Sequence, residues 1–139
     1  MSSGGFRVAL IGAAGKVAAP CHLHAWQMVN AGELVAVCDV DQQAVDRIGD
    51  AWGINKRFTS YEALLADPDI DGTDIVTPPF LHADITLATA AAGKHVYVEK
   101  AMARSAGETV AMIDAAASAG ITLMVGEGYV FQGSNVMAR

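Results

Sequence analysis

Phe6-Arg7-Val8-Ala9-Leu10-Ile11-Gly12-Ala13-Ala14-Gly15-Lys16-Val17-Ala18-Ala19 is the stretch on which the fold reading turns. Residues 6–11 form a short apolar run that stops at a glycine, the pattern of a buried strand. Gly12 and Gly15 bracket a tight loop. The alanines beyond open a helix that keeps Leu23, Trp26 and Val29 on one side as far as about Asn30. Pro20 fits that helix only near its first turn, where a missing N–H breaks no hydrogen bond.

The alternation continues outward from this unit. Leu34-Val35-Ala36-Val37-Cys38 reads as a second buried strand ending at Asp39, and Asp41 can cap a helix carrying Ala44, Val45, Ile48 and Trp52 that ends by Gly53. Lys56-Arg57-Phe58 makes a short edge strand. Thr59-Ser60-Tyr61-Glu62 has capping-box spacing ahead of a short helix that Pro68 stops. Asp74-Ile75-Val76-Thr77 is a fourth strand halted by Pro78-Pro79, followed by a helix from Leu81 to Ala92 with Gly93 as its terminator. His95-Val96-Tyr97-Val98 is a fifth strand. Ser105-Ala106-Gly107-Glu108 starts a helix to Ala119 closed by Gly120, and Ile121 to Val125 is a sixth strand. These strands are continuous apolar runs and do not alternate, which argues for a parallel sheet covered by helices on both faces.

Composition removes other classes. The chain has 139 residues, one domain's length. Hydrophobic residues are 53% but aromatic ones only 6%, so small side chains suited to close helix–sheet contact dominate. A charged fraction of 17% excludes a disordered chain. Net charge −6 argues against binding a phosphate backbone, so no nucleic-acid partner is expected. Cys21 and Cys38 are too few for a disulfide framework and lack metal-pair spacing. His24 and His95 read as structural, and Met102, Met112, Met124 and Met137 as gap-filling apolar residues, so no metal is expected. No basic segment followed by an apolar run opens the chain, and the uncharged stretch from Val17 to Gly32 is broken by polar residues. A cytoplasmic protein without membrane contact is the expectation.

The first loop carries the first chemistry. A strict G-x-G-x-x-G is absent; Gly12 and Gly15 form a G-x-x-G in which small Ala14, Ala18 and Ala19 let backbone approach a pyrophosphate closely. Lys16 and Val17 lead into a helix N-terminus whose free N–H groups favour an anion. An ordinary β-α turn could use the same residues. Asp39, 27 residues after Gly12 and at the end of the second strand, sits where a dinucleotide fold places a carboxylate on the adenine ribose. Its charge repels a 2′-phosphate, and Val40 and Asp41 supply no cation, so NAD is expected in preference to NADP. The fold is then a Rossmann α/β domain, a doubly wound parallel sheet in the order 3-2-1-4-5-6.

Two further segments make the resemblance specific. Thr77-Pro78-Pro79-Phe80-Leu81-His82 resembles the T-P-x-x-x-H turn, and Gly93-Lys94-His95-Val96-Tyr97-Val98-Glu99-Lys100 the G-K-H-V-x-x-E-K segment, of the glucose–fructose oxidoreductase/inositol dehydrogenase/MocA (Gfo/Idh/MocA) family. The similarity runs from about Phe6 to Met124. Pro20 and His22 after the loop resemble members that oxidise UDP-N-acetyl sugars. The resemblance implies hydride transfer between NAD(P) and a carbinol carbon of a sugar, sugar-nucleotide or polyol. It implies that Gly12, Ala14 and Gly15 face the pyrophosphate, Asp39 the adenine ribose, and Thr77, Pro78 and His82 the nicotinamide side. Glu99 and Lys100 would sit by the nicotinamide ribose, with Lys100 as the catalytic residue. The plainer readings stand beside these: Pro78-Pro79 ends a strand, His82 opens a helix, and Lys100 is a solvated lysine.

Three positions depart from the family pattern. Ala101 replaces the proline after E-K, which should loosen the turn that aims Lys100. Gly128 and Val130 stand where an amide and an arginine are common. Relatives also continue into an α+β domain that supplies most of the substrate pocket. The expected division is therefore a dinucleotide-binding domain over residues 1–125, with 126–139 as the remnant of a connection to an absent domain. On this reading the isolated, truncated chain binds NAD without turnover, and the alternative is a non-catalytic NAD-binding module or interaction subunit. A bared seam at Met124, Tyr129 and Phe131 makes a homo-oligomer the expected state.

Overall fold

Successive side chains of a strand point to opposite faces, so an apolar run such as Val8-Ala9-Leu10-Ile11 must be covered twice. The computed structural model, which describes residues 5–16 and 18–128, supplies both covers. Its elements follow in the order β1 (Phe6–Ile11), α1 (Ala18–Met28), β2 (Gly32–Cys38), α2 (Gln42–Trp52), β3 (Lys56–Phe58), α3 (Tyr61–Leu65), β4 (Gly72–Ile75), α4 (His82–Ala91), β5 (His95–Glu99), α5 (Ala106–Ala119) and β6 (Leu123–Gly126). The six strands form one parallel sheet in the order β3-β2-β1-β4-β5-β6. This is the doubly wound Rossmann arrangement, with its reversal of winding between β1 and β4.

Alternation along the strands divides the core. Ala9, Ile11, Ile75, Val96 and Val98 face one side, where Leu64 of α3, Ile85 of α4 and Met112 of α5 close over them. Leu10 and Val37 face the other, beneath Ala19 and Leu23 of α1 and Val45 of α2. Helix ends obey local chemistry. Asp41 accepts from Ala44 N at the start of α2, and Gly53 leaves that helix with φ +68°. Ser105 accepts from Glu108 N at the start of α5.

Several boundaries differ from the sequence reading, each for a physical reason. β4 spans Gly72–Ile75, two residues ahead of the expected Asp74–Thr77, because it must pair with β1 from Val8↔Gly72 to Ile11↔Ile75. The cap of α3 is Ser60, whose hydroxyl accepts from Ala63 N, and not Thr59. The capping box at α5 is only half reciprocal, since Glu108 accepts from Arg104 N instead of returning to Ser105. A 3-10 turn at Pro79–Leu81 precedes α4, so His82 is the first α-helical residue. β6 begins at Leu123 and runs through Gly126, and Met124 stands 47% exposed instead of filling a gap. Val17, Tyr129, Val130, Phe131 and Met137 lie outside the described residues. No helix among the described residues is long and apolar enough to cross a membrane.

Met112 is fully buried between α5 and the sheet. Met112→Ala should therefore cost about 2–5 kcal/mol of folding stability, transfer and cavity together. Urea unfolding followed by circular dichroism measures it; a loss under 1 kcal/mol would mean that this layer collapses onto the gap.

Candidate functional site

The carboxyl ends of β1, β2 and β4 converge where the winding reverses, and the chain turns hardest there. Gly12 has φ +92°, and a Cβ on it would stand 2.8 Å from Thr77 N and 2.9 Å from Val76 C. No residue with a side chain fits that position without moving β4. Gly15 is less constrained, its hypothetical Cβ meeting Gly12 O at 3.2 Å. The loop is fastened from within: Gly12 N and Ala13 N donate to Cys38 O, and Gly15 N donates to Gly12 O. Ala14 N donates to the Asp39 carboxylate at 2.9 Å. The amides of Gly12, Ala14 and Gly15 are thus engaged by the protein. What the loop offers a ligand is close backbone approach, with donors coming from the first turn of α1.

Beside this loop lies a cleft of about 580 Å³, a volume usual for a cofactor site. Gly12, Ala14, Gly15, Asp39, Thr77 and Pro78 all line it, so most of the residues expected to bind cofactor meet in one place. Asp39 does two jobs: Oδ2 braces Ala14 N, while Oδ1 accepts from Asp41 N at 3.2 Å. A carboxylate has lone pairs beyond those two bonds, and Asp39 remains partly exposed at the cleft wall. Thr77 Oγ1 is buried with no hydrogen-bond partner among the described residues, a polar atom on the cleft wall that suits a bound group.

The opposite wall was not foreseen from sequence. Thr59, Ser60, Tyr61 and Glu62 follow β3 and line the cleft, although their pattern reads only as a helix cap. The available signal was position, because they too occupy the carboxyl end of a strand. Among the described residues, Asp39 and Glu62 are the only charged ones in the lining. The Ser60 hydroxyl donates to Glu62 at 2.6 Å and holds its carboxyl below the usual range. Burial first, then the charges of Asp39 and Glu62, pushes the Cys38 thiol up to about 12, so it stays protonated and unreactive.

The remaining expected residues lie elsewhere. Lys16 is exposed beside the loop, and Val17 falls outside the described residues. His82 is fully buried and does not line the cleft. Its Nε2 lies 2.7 Å from Thr77 O and its Nδ1 2.8 Å from Ala101 O. The ring therefore ties the turn after β4 to the turn after β5. The second of these contacts holds Ala101 O, next to the Lys100–Ala101 peptide, which is cis. Lys100 itself is exposed, at the carboxyl end of β5.

Glu99 points toward α1. Its Oε1 lies 3.1 Å from His22 Nε2, and its Oε2 accepts from Lys100 N at 2.9 Å. The other ring nitrogen, His22 Nδ1, lies 2.8 and 2.9 Å from the two oxygens of Asp74, which also accepts from Trp26 Nε1. This cluster was missed in the sequence, where His22 served only as a weak mark of likeness. Its members are 52 and 77 residues apart in sequence. Burial works to lower the His22 pKa, but the hydrogen bonds and charges of Asp74 and Glu99 outweigh it and hold it above the usual value.

Comparison with known proteins agrees with this geometry. The sequence profile of the oxidoreductase family with an NAD-binding Rossmann fold, GFO_IDH_MocA, matches residues 6–127. A D-apiose dehydrogenase of Paraburkholderia graminis is 33% identical over 80% of this chain and 30% of its own length. A D-xylose 1-dehydrogenase (NADP(+)) of Haloferax volcanii is 41% identical over 71% of this chain and 30% of its own. Among solved structures, the WlbA dehydrogenase of Bordetella pertussis, in complex with NADH and UDP-GlcNAcA, superposes with a TM-score of 0.88 at 29% identity. That superposition covers 96% of this chain and 40% of the other. The chain spans about a third of the length of the relatives it matches.

Gly12→Ala should force the loop off β4, at a cost of at least about 1–3 kcal/mol for the backbone conformation alone. The expected result is a lower unfolding midpoint together with lost nucleotide binding, read by thermal melts with and without NAD. A variant that melts and binds like the parent would contradict the close approach described here.

Proposed function

This chain belongs to the Gfo/Idh/MocA oxidoreductase family, and from that premise we propose that it is the NAD-binding part of a dehydrogenase acting on a sugar, sugar-nucleotide or polyol hydroxyl. The observation that carries the reading is the cleft between the glycine loop and Asp39, at the reversal of winding. In this reading residues 1–125 form the dinucleotide-binding unit, and 126–139 begin the connection to a substrate domain. NAD, when bound, supplies the hydride acceptor. The protein's part is to hold and orient it: Gly12, Ala14 and Gly15 let the diphosphate approach, while Lys16 stands beside its path to the positive end of α1. Asp39 takes the adenine ribose hydroxyls, and Thr77 and Pro78 shape the path toward the nicotinamide.

Lys100 is assigned the catalytic role. An ammonium at the carboxyl end of β5, next to Glu99, can polarise a substrate carbonyl or move the hydroxyl proton. His82 acts through the turns it joins and is a positioning residue. The named activities of the apiose and xylose dehydrogenases support a sugar-like substrate. A reducing, cytoplasmic compartment suits the two free thiols. Self-association suits the exposed Val110, Ile113 and Met124.

NAD is favoured over NADP because both charged groups on the cleft are carboxylates and would face a 2′-phosphate. Calorimetric titration of this chain should find tighter NAD binding, and equal or reversed affinity would overturn the assignment. Asp39→Ala should weaken NAD by about 1.5–3 kcal/mol, the worth of charge-assisted hydrogen bonds. Asp39→Asn, which keeps an acceptor for Ala14 N, separates the charge from the brace.

A second expectation concerns turnover by these 139 residues alone. Hydride transfer needs the donor carbon held about 3–3.5 Å from its acceptor, and such positioning supplies much of the rate. The turn after β4 and the Glu99-Lys100 pair offer one wall for a polyol. NAD should bind, while absorbance at 340 nm stays flat with inositols, hexoses and UDP-sugars. Growth of that absorbance, abolished by Lys100→Ala, would show that this unit suffices.

A further inference from the structure

Asp74 presents a carboxylate in the middle of the sheet with a side chain only 1% exposed. A charge so placed is tolerated only with hydrogen-bonded partners. Trp26 Nε1 donates one bond, and the remainder must come from His22 Nδ1. On the far side of the same ring, Nε2 meets Glu99. A neutral imidazole has one N–H and would turn a lone pair toward one of the two carboxylates; an imidazolium donates to both.

The other titratable groups around the ring are few. β4 contributes Asp74, and β5 contributes Glu99 and Tyr97, whose ring centroid lies 5.8 Å from that of His22. Burial first, then Asp74 and Glu99, raises the Tyr97 pKa, so that phenol stays neutral. On α1 itself Trp26 carries no charge, and His24 is turned away toward Pro20 O and Trp52. The His22 charge therefore answers to the two carboxylates.

We propose that His22 is a positioning residue for the nicotinamide end of the cofactor site, acting as an imidazolium bridge from Asp74 to Glu99. Anchored through Oε1, Glu99 keeps Oε2 on Lys100 N and so fixes the start of the turn that carries Lys100. Deprotonation releases Glu99 from α1 and loosens that turn, while the glycine loop and Asp39, which follow β1 and β2, are untouched. The device makes one half of the dinucleotide site sensitive to pH and leaves the other half indifferent.

This inference rests on the NAD reading, and its test separates the two. Ring ¹⁵N spectra of the histidine-labelled chain, with His22 assigned through His22→Gln, should show both nitrogens protonated at neutral pH and a titration above the ordinary histidine value. NAD affinity should fall about three- to tenfold as pH rises through that same titration, the worth of one lost hydrogen bond. ADP, fully ionised between pH 7.5 and 9.5 and lacking the nicotinamide half, should bind with constant affinity. Glu99→Gln should flatten the NAD profile without weakening ADP. A singly protonated His22 at neutral pH, or a flat NAD profile with ADP still bound, overturns the bridge alone. Failure of both nucleotides to bind at any pH overturns the cofactor reading and the bridge with it.

Discussion

At Gly12 the backbone leaving β1 passes so close to the backbone leaving β4 that no Cβ fits between them, and the geometry of the site follows from that contact. Because β1 and β4 touch there, the loop must turn toward β2, where Cys38 O receives two of its amides and Asp39 a third. The same contact sets Thr77 at the cleft wall, and through Thr77 O it places His82. His82 then reaches Ala101 O and brings the end of β5 into register with the rest. A glycine at one crossing thus determines where four strand ends meet.

Electrostatics at the cleft is unusual for the diphosphate site proposed there. Among the described residues its charged lining is acidic, on a chain of net charge −6. On the proposed reading the acidic lining contributes no attraction, and affinity would come from the positive end of α1, from close backbone approach and from hydrogen bonds to ribose hydroxyls. A site of that kind would accept two phosphates at the helix end and disfavour a third placed against Asp39. Ligand choice would then follow where negative charge falls along the molecule, and much less its total.

How much of this could be read from the chain alone varies with the range of the interaction. Strand order was legible because β1, β2, β5 and β6 are built on apolar runs and α2, α4 and α5 are followed by Gly53, Gly93 and Gly120, all with positive φ. The place of Asp39 on the cleft wall was legible because it follows from position at a strand end. β4 was misplaced by two residues, since Gly72, Thr73 and Asp74 carry no apolar signal and the strand is defined by its pairing with β1. His22 was not legible as a bridge, because nothing local distinguishes a histidine that meets carboxylates on β4 and β5 from one, like His24, that meets a carbonyl four residues away. Ser60 took the cap from Thr59 for a smaller reason: both offer hydroxyls, and it is that of Ser60 that accepts from Ala63 N.

The two ends of the sheet show why function gathers at one of them. At the amino ends, charges are saturated. Arg7 grips Asp71 through two side-chain nitrogens and its own backbone amide. The ammonium of Lys94 donates to Asp67 O and Ile70 O, and Lys56 lies between Asp67 and Asp69. Exposed ion pairs of this kind add little to stability, so their effect is mainly to occupy valences that a ligand would need. At the carboxyl ends the balance is reversed. Thr77 Oγ1 has no partner among the described residues, Asp39 keeps lone pairs, and Lys100 stands exposed. A parallel sheet imposes this division, because every loop at one end follows a strand and every loop at the other follows a helix. In this chain the α3–β4 loop is closed by ion pairs with Arg7 and Lys56, and the strand-to-helix loops are left with groups that a ligand can satisfy.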